Sequence, residues 1–458
     1  MSLRVHLRQA PTRASILLLI GGALIALTAL GLTVRVPGEL EIASRSRLDF
    51  FVAVASASGL LYLAATALVL RGPAQRRLLW IVLIVAGIAR LLVLPPAPFL
   101  STDIYRYVWD GRVQGAGINP YRYVPGAPEL ASLRDAELFP KINRAHYAPT
   151  VYPPVAQAVF FLVTEISPTV LAMKSAMVLC EAVAIAAVIK LLGILGLPRE
   201  RVLIYAWNPL AIWEFAGNGH VDAVAIGLIA LALLARARGR MALTGAALGA
   251  AILVKFLPAV LLPAFWRRWD IKLPAAGTAV IAAFYLLYVG VGWKVLGFLP
   301  RYGAEEGYRA GDGFYYLLAL RHIAVAPAVS LYLAAVVALF AALAFWMVFL
   351  REPQRDPGSD TLAVAQNALI LAAILMVTIT PHYAWYYAWL ALPACLYPSL
   401  SVLYLTLASF LLYFDPGHET LLWPGMLYGP FLVLALAELW WRRKGDMIPL
   451  PRTLGRSP

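Results

Sequence analysis

The sequence contains little of what disulfide-rich proteins and thiolate metal sites require. It has two cysteines in 458 residues, and both Cys180 and Cys395 lie in apolar segments. This number and placement do not suggest a disulfide framework or a metal site built from thiolates. The six histidines do not show H-x-x-x-H or a similar ligand spacing.

Charged residues are also scarce. They make up 14% of the chain, whereas hydrophobic residues make up 62%, and the mean hydropathy is +0.76. Many apolar runs of about 18–25 residues have the length needed to cross a bilayer. The composition therefore predicts an all-α, polytopic membrane protein built as a bundle of transmembrane helices.

The formal net charge of +14 does not indicate a nucleic-acid partner, because most of the excess lies in short loops between apolar runs. Basic residues of this kind are typical of cytoplasmic loops. The loops expected on the cytoplasmic side are 71–77, 199–201, 236–240, 267–272 and the tail with Arg442, Arg443 and Lys444.

This charge pattern predicts one integral membrane domain, 1–458, with both termini in the cytoplasm of a plasma (inner) membrane protein. The largest loops, 96–171 and 294–323, are then extracytoplasmic. The expected spans are 15–34, 49–70, 78–95, 172–195, 202–217, 220–235, 273–293, 324–350, 361–380, 384–398, 399–414 and 421–441. We interpret 152–166 as an interfacial or re-entrant helix that does not cross the membrane, and 241–266 as a helix pair broken at Lys255–Pro258.

The stretch 101–123, STDIYRYVWDGRVQGAGINPYRY, combines acids, arginines and aromatics in the first large outer loop. We expect Thr102 to cap a helix that begins at Asp103. Asp103, Arg106 and Asp110 then share one face of this helix. The aromatic side chains of Tyr105 and Tyr107 flank that face, and Gly111 should loosen the chain after it.

Other unusual polar and aromatic residues are predicted to reach the same membrane face. Ionisable groups within a membrane are costly and are often functional. These residues are Arg90, His220, Asp222, Lys255, His382, Tyr383, Trp385 and Tyr386.

Such a set suits the transfer of a sugar from a polyprenyl phosphate, which needs a general base, a cationic phosphate site and an apolar groove. Asp103 is the predicted base, and the predicted phosphate ligands are Arg90, Lys255, His220 and His382. The predicted substrate contacts are Tyr105, Arg106, Tyr107, Asp110, Asp222, Tyr383, Trp385 and Tyr386. One well-placed carboxylate indicates single displacement with inversion at the anomeric carbon.

Simpler structural roles remain open for several of these residues. Asp103 could only cap its helix, and Arg106 could neutralise Asp110. Lys255 could extend to water, and the aromatic run 383–387 could be an interfacial belt. The acidic pair Glu305 and Glu306 is expected in a solvated loop.

The blocks DIYRYVWDGRVQGAGINPY, TVYPPVAQAVF, NGHVDAVAIG, LVKFLPAVLLP and ITPHYAWYYAWLALP resemble the GT-C glycosyltransferases. The chain is most similar to the polyprenol-phosphate-mannose-dependent mannosyltransferases of glycosyltransferase family 87 and the related bacterial α-mannosyltransferases. The resemblance covers residues 78–398 approximately.

This resemblance implies a polyprenyl-phosphate hexose donor, a lipid-linked or glycan acceptor, an extracytoplasmic site in the cell envelope, and a catalytic aspartate at Asp103. It implies no nucleotide-sugar donor and no metal or other cofactor, although the absence of an adjacent acidic pair leaves the role of a divalent metal open. A transporter or flippase of a lipid-linked sugar is the alternative. It would have paired broken segments in two repeated halves, whereas this sequence has one broken segment and a one-sided polar cluster.

Overall fold

The computed structural model describes residues 12–35, 45–323, 325, 327–352, 356–414 and 420–444. In this part of the chain the regular structure is helical, without any strand. The all-α prediction is therefore confirmed. The predicted cytoplasmic ends, 1–11 and 445–458, lie outside the described residues.

The first half of the chain contains ten α-helices in the described residues. They are α1 (Arg13–Leu32), α2 (Arg45–Leu70), α3 (Arg76–Val93), α4 (Asp103–Gly115), α5 (Pro154–Ile166), α6 (Val170–Ile194), α7 (Leu203–Ala206), α8 (Pro209–Ala211), α9 (Asp222–Ala237) and α10 (Met241–Ile252). The second half contains α11 (Leu262–Phe265), α12 (Lys272–Leu286), α13 (Leu299–Glu305), α14 (Tyr315–His322), α15 (Val329–Phe345), α16 (Pro357–Ile379), α17 (Ala391–Ala394), α18 (Leu400–Ala408) and α19 (Leu422–Lys444).

Six helices in the described residues are long and apolar enough to cross a bilayer. They are α1, α2, α6, α15 with its π-helical extension Trp346–Leu350, α16 and α19. They coincide with six of the predicted spans. The chain is therefore a multi-pass membrane protein.

Four other predicted spans were wrong as single continuous helices. Residues 202–217 are divided by Pro209, which cannot donate a backbone hydrogen bond, into α7, α8 and the π-helix Ile212–Gly217. Residues 384–398 form a 3₁₀ helix, Ala384–Leu390, followed by α17, and 399–414 change from α18 to 3₁₀ at Ser409. The α12 segment is bent by 111° relative to Val289–Glu305.

Of the two segments predicted to be irregular, the first begins where expected, and the break in the second lies at 253–256, two residues before the predicted Lys255–Pro258. Helix α5 begins at Pro154 and has 13 residues, fewer than the ~20 needed to span a bilayer. Helix α10 ends at Ile252, and a 3₁₀ helix begins at Leu257. The break between them carries Lys255.

Helix α4 starts at Asp103 as predicted, but two local details differ. The hydroxyl of Ser101, not Thr102, accepts the backbone N–H of Asp103 at 3.2 Å. Gly111 does not loosen the chain, because the helix continues to Gly115. A Cβ at Gly111 would lie 2.5 Å from the carbonyl oxygen of Phe160, so this glycine allows α4 to pack closely on α5.

Candidate active site

A cavity of about 680 Å³ lies beside the N-terminus of α4. Its wall is built from segments that are far apart in the chain: 99–106, 143–153, 255–257, 298–305 and 382–386, with Leu48, Leu412 and Tyr413 at one side. Both predicted outer loops therefore contribute to one cavity.

Asp103 lies in the wall of this cavity, at the first position of α4. Its Oδ1 accepts a hydrogen bond of 2.7 Å from the Nδ2 of Asn143. Its Oδ2 is 4.0 Å from the Nδ1 of His220, and 21% of the side chain is exposed. The positive end of the helix dipole favours a carboxylate at this position.

Arg106 also lines the cavity and forms the ion pair that its spacing predicts. Its Nε donates to Oδ1 of Asp110 at 2.7 Å, and its Nη1 donates to the carbonyl of Ala148 at 3.1 Å. The other carboxylate oxygen of Asp110 accepts from Gln157 at 2.9 Å. Asp110 is buried behind the wall, so this network fixes the face of α4 that carries Asp103.

Lys255 reaches the cavity from the break after α10. Its Nζ lies 2.9 and 3.0 Å from the two carboxylate oxygens of Asp222, at the start of α9. It also lies 4.0 Å from the centre of the Tyr386 ring, which is within the range of a cation–π contact. The ammonium therefore has a protein counter-ion, whereas the sequence suggested a lipid phosphate.

Three stacked rings form another part of the site. Tyr383 stacks on Trp385 with centroids 4.5 Å apart, and Trp385 stacks on His220 at 4.1 Å. The two aromatic residues line the cavity, while His220 is 1% exposed behind them. The exposed side of such a stack is a suitable platform for the apolar face of a sugar ring.

The structure brings together about half of the sequence-predicted residues. Those that line the cavity are Asp103, Arg106, Lys255, His382, Tyr383, Trp385 and Tyr386. Those that lie behind the wall or elsewhere are Arg90, Tyr105, Tyr107, Asp110, His220 and Asp222.

Three of the outlying residues have structural partners. Arg90 is 4% exposed and donates from Nε and Nη2 to both carboxylate oxygens of Glu181, so the structure does not bring it to the cavity. Tyr107 is buried against Phe160, with parallel rings 4.6 Å apart. Tyr105 is also buried, 5.3 Å below the ammonium of Lys141.

Several site residues carried no usable signal in the sequence. Asn143 and Arg144 lie in the irregular part of the first outer loop and reach the cavity only through the tertiary fold. The expectation of a solvated acidic loop was wrong for Glu306, which is 8% exposed. Its carboxylate lies 3.4 Å from the Nδ1 of His382.

Arg144 connects the two outer loops at the polar side of the cavity. Its guanidinium donates to Glu305 and, over 3.3 Å, to Glu306. Burial lowers the pKa of Arg144, but the hydrogen bond and charge of Glu305 outweigh it and the net shift is upward. The guanidinium is therefore a permanent positive charge at this position.

In the part of the chain that the structure describes, no group of three or more His, Cys, Asp or Glu side chains could hold a metal ion. The cations of the wall are Arg106, Arg144, Lys255 and, when protonated, His382. The fold and this cavity define a multi-pass membrane protein with a carboxylate, cations and aromatic rings in one site.

Residues 10–270 match the family described as α-(1→6)-mannopyranosyltransferase, N-terminal domain. The match covers more than half of the chain. The chain therefore belongs to this family and is a mannosyltransferase. The resemblance found in the sequence is thereby confirmed. Comparison with curated proteins and with solved structures gave no match.

Proposed function

We propose that this mannosyltransferase moves a mannosyl group from a polyprenyl phosphate to a hydroxyl group of a lipid-linked or glycan acceptor, with inversion. The reaction takes place on the extracytoplasmic side of the plasma (inner) membrane, within one integral membrane domain. The observation that carries this proposal is the cavity-wall position of Asp103, partly exposed and oriented by Asn143.

In the proposed reaction Asp103 is the general base. The acceptor oxygen attacks the anomeric carbon while its proton passes to Asp103, and the bond from that carbon to the phosphate oxygen breaks. The polyprenyl phosphate leaves with the electron pair and one additional negative charge. A direct displacement of this kind needs one carboxylate in contact with the acceptor, which agrees with the burial of Asp110 outside the cavity.

The departing phosphate requires positive charge close to the reacting carbon. Lys255 and Arg106 line the cavity together with Asp103, and both are paired with carboxylates behind the wall. Lys255, which is 20% exposed, retains a surface toward the cavity. We therefore assign the phosphate to the side of the cavity that contains Lys255.

The prenyl chain requires an apolar path from the bilayer. One side of the cavity is formed by Leu48 at the start of α2, by Phe99, and by Leu412 and Tyr413 of the 3₁₀ helix after α18. We assign the lipid to this side. The acceptor would then approach from the polar side, where Tyr147, Arg144 and Glu305 line the cavity.

The deciding experiment is a transfer assay with the purified protein and a panel of polyprenyl-phosphate sugars, with GDP-mannose as the competing donor. We expect transfer from polyprenyl-phosphate mannose and none from the nucleotide sugar. Asp103→Asn should lower the rate by about 10²–10⁴-fold while donor binding persists. The matched control, Asp110→Asn, should have a much smaller effect.

Transfer from GDP-mannose alone would contradict the proposed donor. If Asp103→Asn keeps near-normal turnover while Asp222→Asn loses activity, the general base is Asp222 and not Asp103. Movement of the intact lipid-linked sugar across vesicles without transfer would support the transporter alternative.

A further inference from the structure

His220 is almost completely buried between two carboxylates. Its Nδ1 faces Oδ2 of Asp103 at 4.0 Å, and its Nε2 faces Oε2 of Glu214 at 3.3 Å. The ring is 1% exposed, and Trp385, stacked on it at 4.1 Å, separates it from the cavity. His220 therefore packs behind the cavity wall, with its ring edge toward the two carboxylates.

Glu214 is fully buried and has several donors. Its carboxylate accepts a hydrogen bond of 3.2 Å from Nδ2 of Asn218 and another from the hydroxyl of Tyr413. A buried carboxylate with this number of partners is fixed in position, because any movement would leave it unsatisfied. Glu214 therefore provides a rigid support for the imidazole.

The backbone explains why Glu214 and His220 face each other. Residues Ile212–Gly217 form a π-helix, and the backbone N–H of His220 donates to the carbonyl of Glu214 at 3.0 Å. Such widened turns are rare and are frequent at functional sites. Here the turn joins the end of one membrane segment to α9 and directs both side chains toward the N-terminus of α4.

We propose that Glu214 and His220 form a positioning pair that holds the carboxylate of Asp103 in its catalytic orientation. Asn143 fixes one oxygen of Asp103, and His220 faces the other. The stack on Trp385 and the contact with Glu214 fix the plane of the imidazole. This inference rests on the proposed function, because it assumes that Asp103 is the base.

The pair explains two features that phosphate binding leaves unexplained. Both ring nitrogens of His220 face carboxylates, not an open part of the cavity. In addition, Trp385 lies between Tyr383 and His220 in the stack, so the platform proposed for the sugar ring also packs on the imidazole that faces Asp103.

Two substitutions of His220 separate positioning from packing. In His220→Asn the amide nitrogen can take the place of Nδ1 and still donate toward Asp103. In His220→Gln the amide reaches the position of Nε2 and contacts Glu214 instead. Glu214→Gln keeps the volume of the side chain but removes its charge.

We expect His220→Gln and Glu214→Gln to lower kcat by up to about 100-fold, the order of loss produced by a displaced catalytic group, with KM for polyprenyl-phosphate mannose unchanged. His220→Asn should recover most of kcat. In the Asp103→Asn background, His220→Gln should cause no further loss, because the group that it positions is absent.

Several results would overturn the inference. A higher donor KM with unchanged kcat in both His220 variants would make His220 a phosphate ligand, and equal losses of kcat with a lower melting temperature in both would show a packing role. If the His220 and Glu214 variants have wild-type kinetics while Asp103→Asn is inactive, the positioning pair is refuted and the proposed function stands. An active Asp103→Asn would refute the proposed base and this inference with it.

Discussion

Lys255 and Asp222 form an ion pair across the helix break, with both carboxylate oxygens within 3.0 Å of Nζ. The pair joins the start of α9 to the end of α10, and it is only partly accessible from the cavity. Removing one partner of a buried pair is more costly than removing both, because an uncompensated charge remains.

We therefore predict that Lys255→Met lowers both the thermal stability and the affinity for polyprenyl phosphate. Asp222→Asn in the same chain should restore stability, because no charge is left unpaired, but it should not restore affinity. Melting in detergent and lipid-phosphate binding to the purified variants measure the two effects. If the double variant binds like the wild type, Lys255 has a structural role only.

Arg144 provides the second prediction, because it ties the first outer loop to Glu305 and Glu306 in the second. Its backbone φ is 56°, so Arg144→Gly keeps an allowed backbone while removing the guanidinium. Partly exposed ion pairs contribute about 0.2–1 kcal/mol. We expect Arg144→Gly and Glu305→Gln to raise KM for the acceptor by up to about fivefold, with donor affinity unchanged.

High salt should reduce the difference between the wild type and these Arg144 and Glu305 variants, because it screens the pair. Steady-state assays at low and high ionic strength provide the test. A change in donor affinity instead would contradict the assignment of the polar side of the cavity to the acceptor.

The third prediction concerns topology, which the loop charges assign. Exposed positions that are not glycine are suitable for cysteine labelling: Ala136 and Ala310 in the outer loops, and Arg238 in a basic loop. In a background without Cys180 and Cys395, an impermeant thiol reagent added to intact cells should label the first two and not the third. Labelling of position 238 alone would move the site to the cytoplasmic side.

The fourth prediction concerns helix packing away from the site. A Cβ on Gly245 of α10 would lie 2.0 Å from the backbone oxygen of Leu273, and one on Gly249 would lie 2.6 Å from that of Gly277 in α12. Small residues allow this close approach of membrane helices. Gly245→Ala should destabilise the protein by about 1–3 kcal/mol, as overpacking does.

Gly22→Ala in α1 is the matched control for the packing prediction, because a Cβ there would meet nothing within 4 Å. Melting temperatures of the two variants, measured in the same detergent, give the comparison. Equal stability would show that α10 and α12 can separate without cost.

Much of the architecture could be predicted from local sequence signals. Long apolar runs predicted the six helices that are suitable for crossing a bilayer, because the thickness of the hydrocarbon core sets the length of apolar helix that crosses it, and that length can be read from local sequence. The start of α4 at Asp103, the Arg106–Asp110 pair and the break around Lys255 also follow from neighbouring residues. The prediction of a single continuous helix was wrong at 202–217 and 384–398, where the packed structure contains π and 3₁₀ turns.

The sequence by itself determined the class of protein, the family through its motif blocks, and Asp103 as the predicted base. Apart from the Arg106–Asp110 pair, only the tertiary structure decided the partners of Arg144 and of the charged residues predicted for the site. Asn143 reaches Asp103 across 40 residues of chain, and Glu305 reaches Arg144 across 161. Arg90 pairs with Glu181, and His220 lies behind Trp385. A buried charge is compensated by whichever group the packed helices bring within a few ångströms, and that proximity is not encoded in the spacing of neighbouring residues.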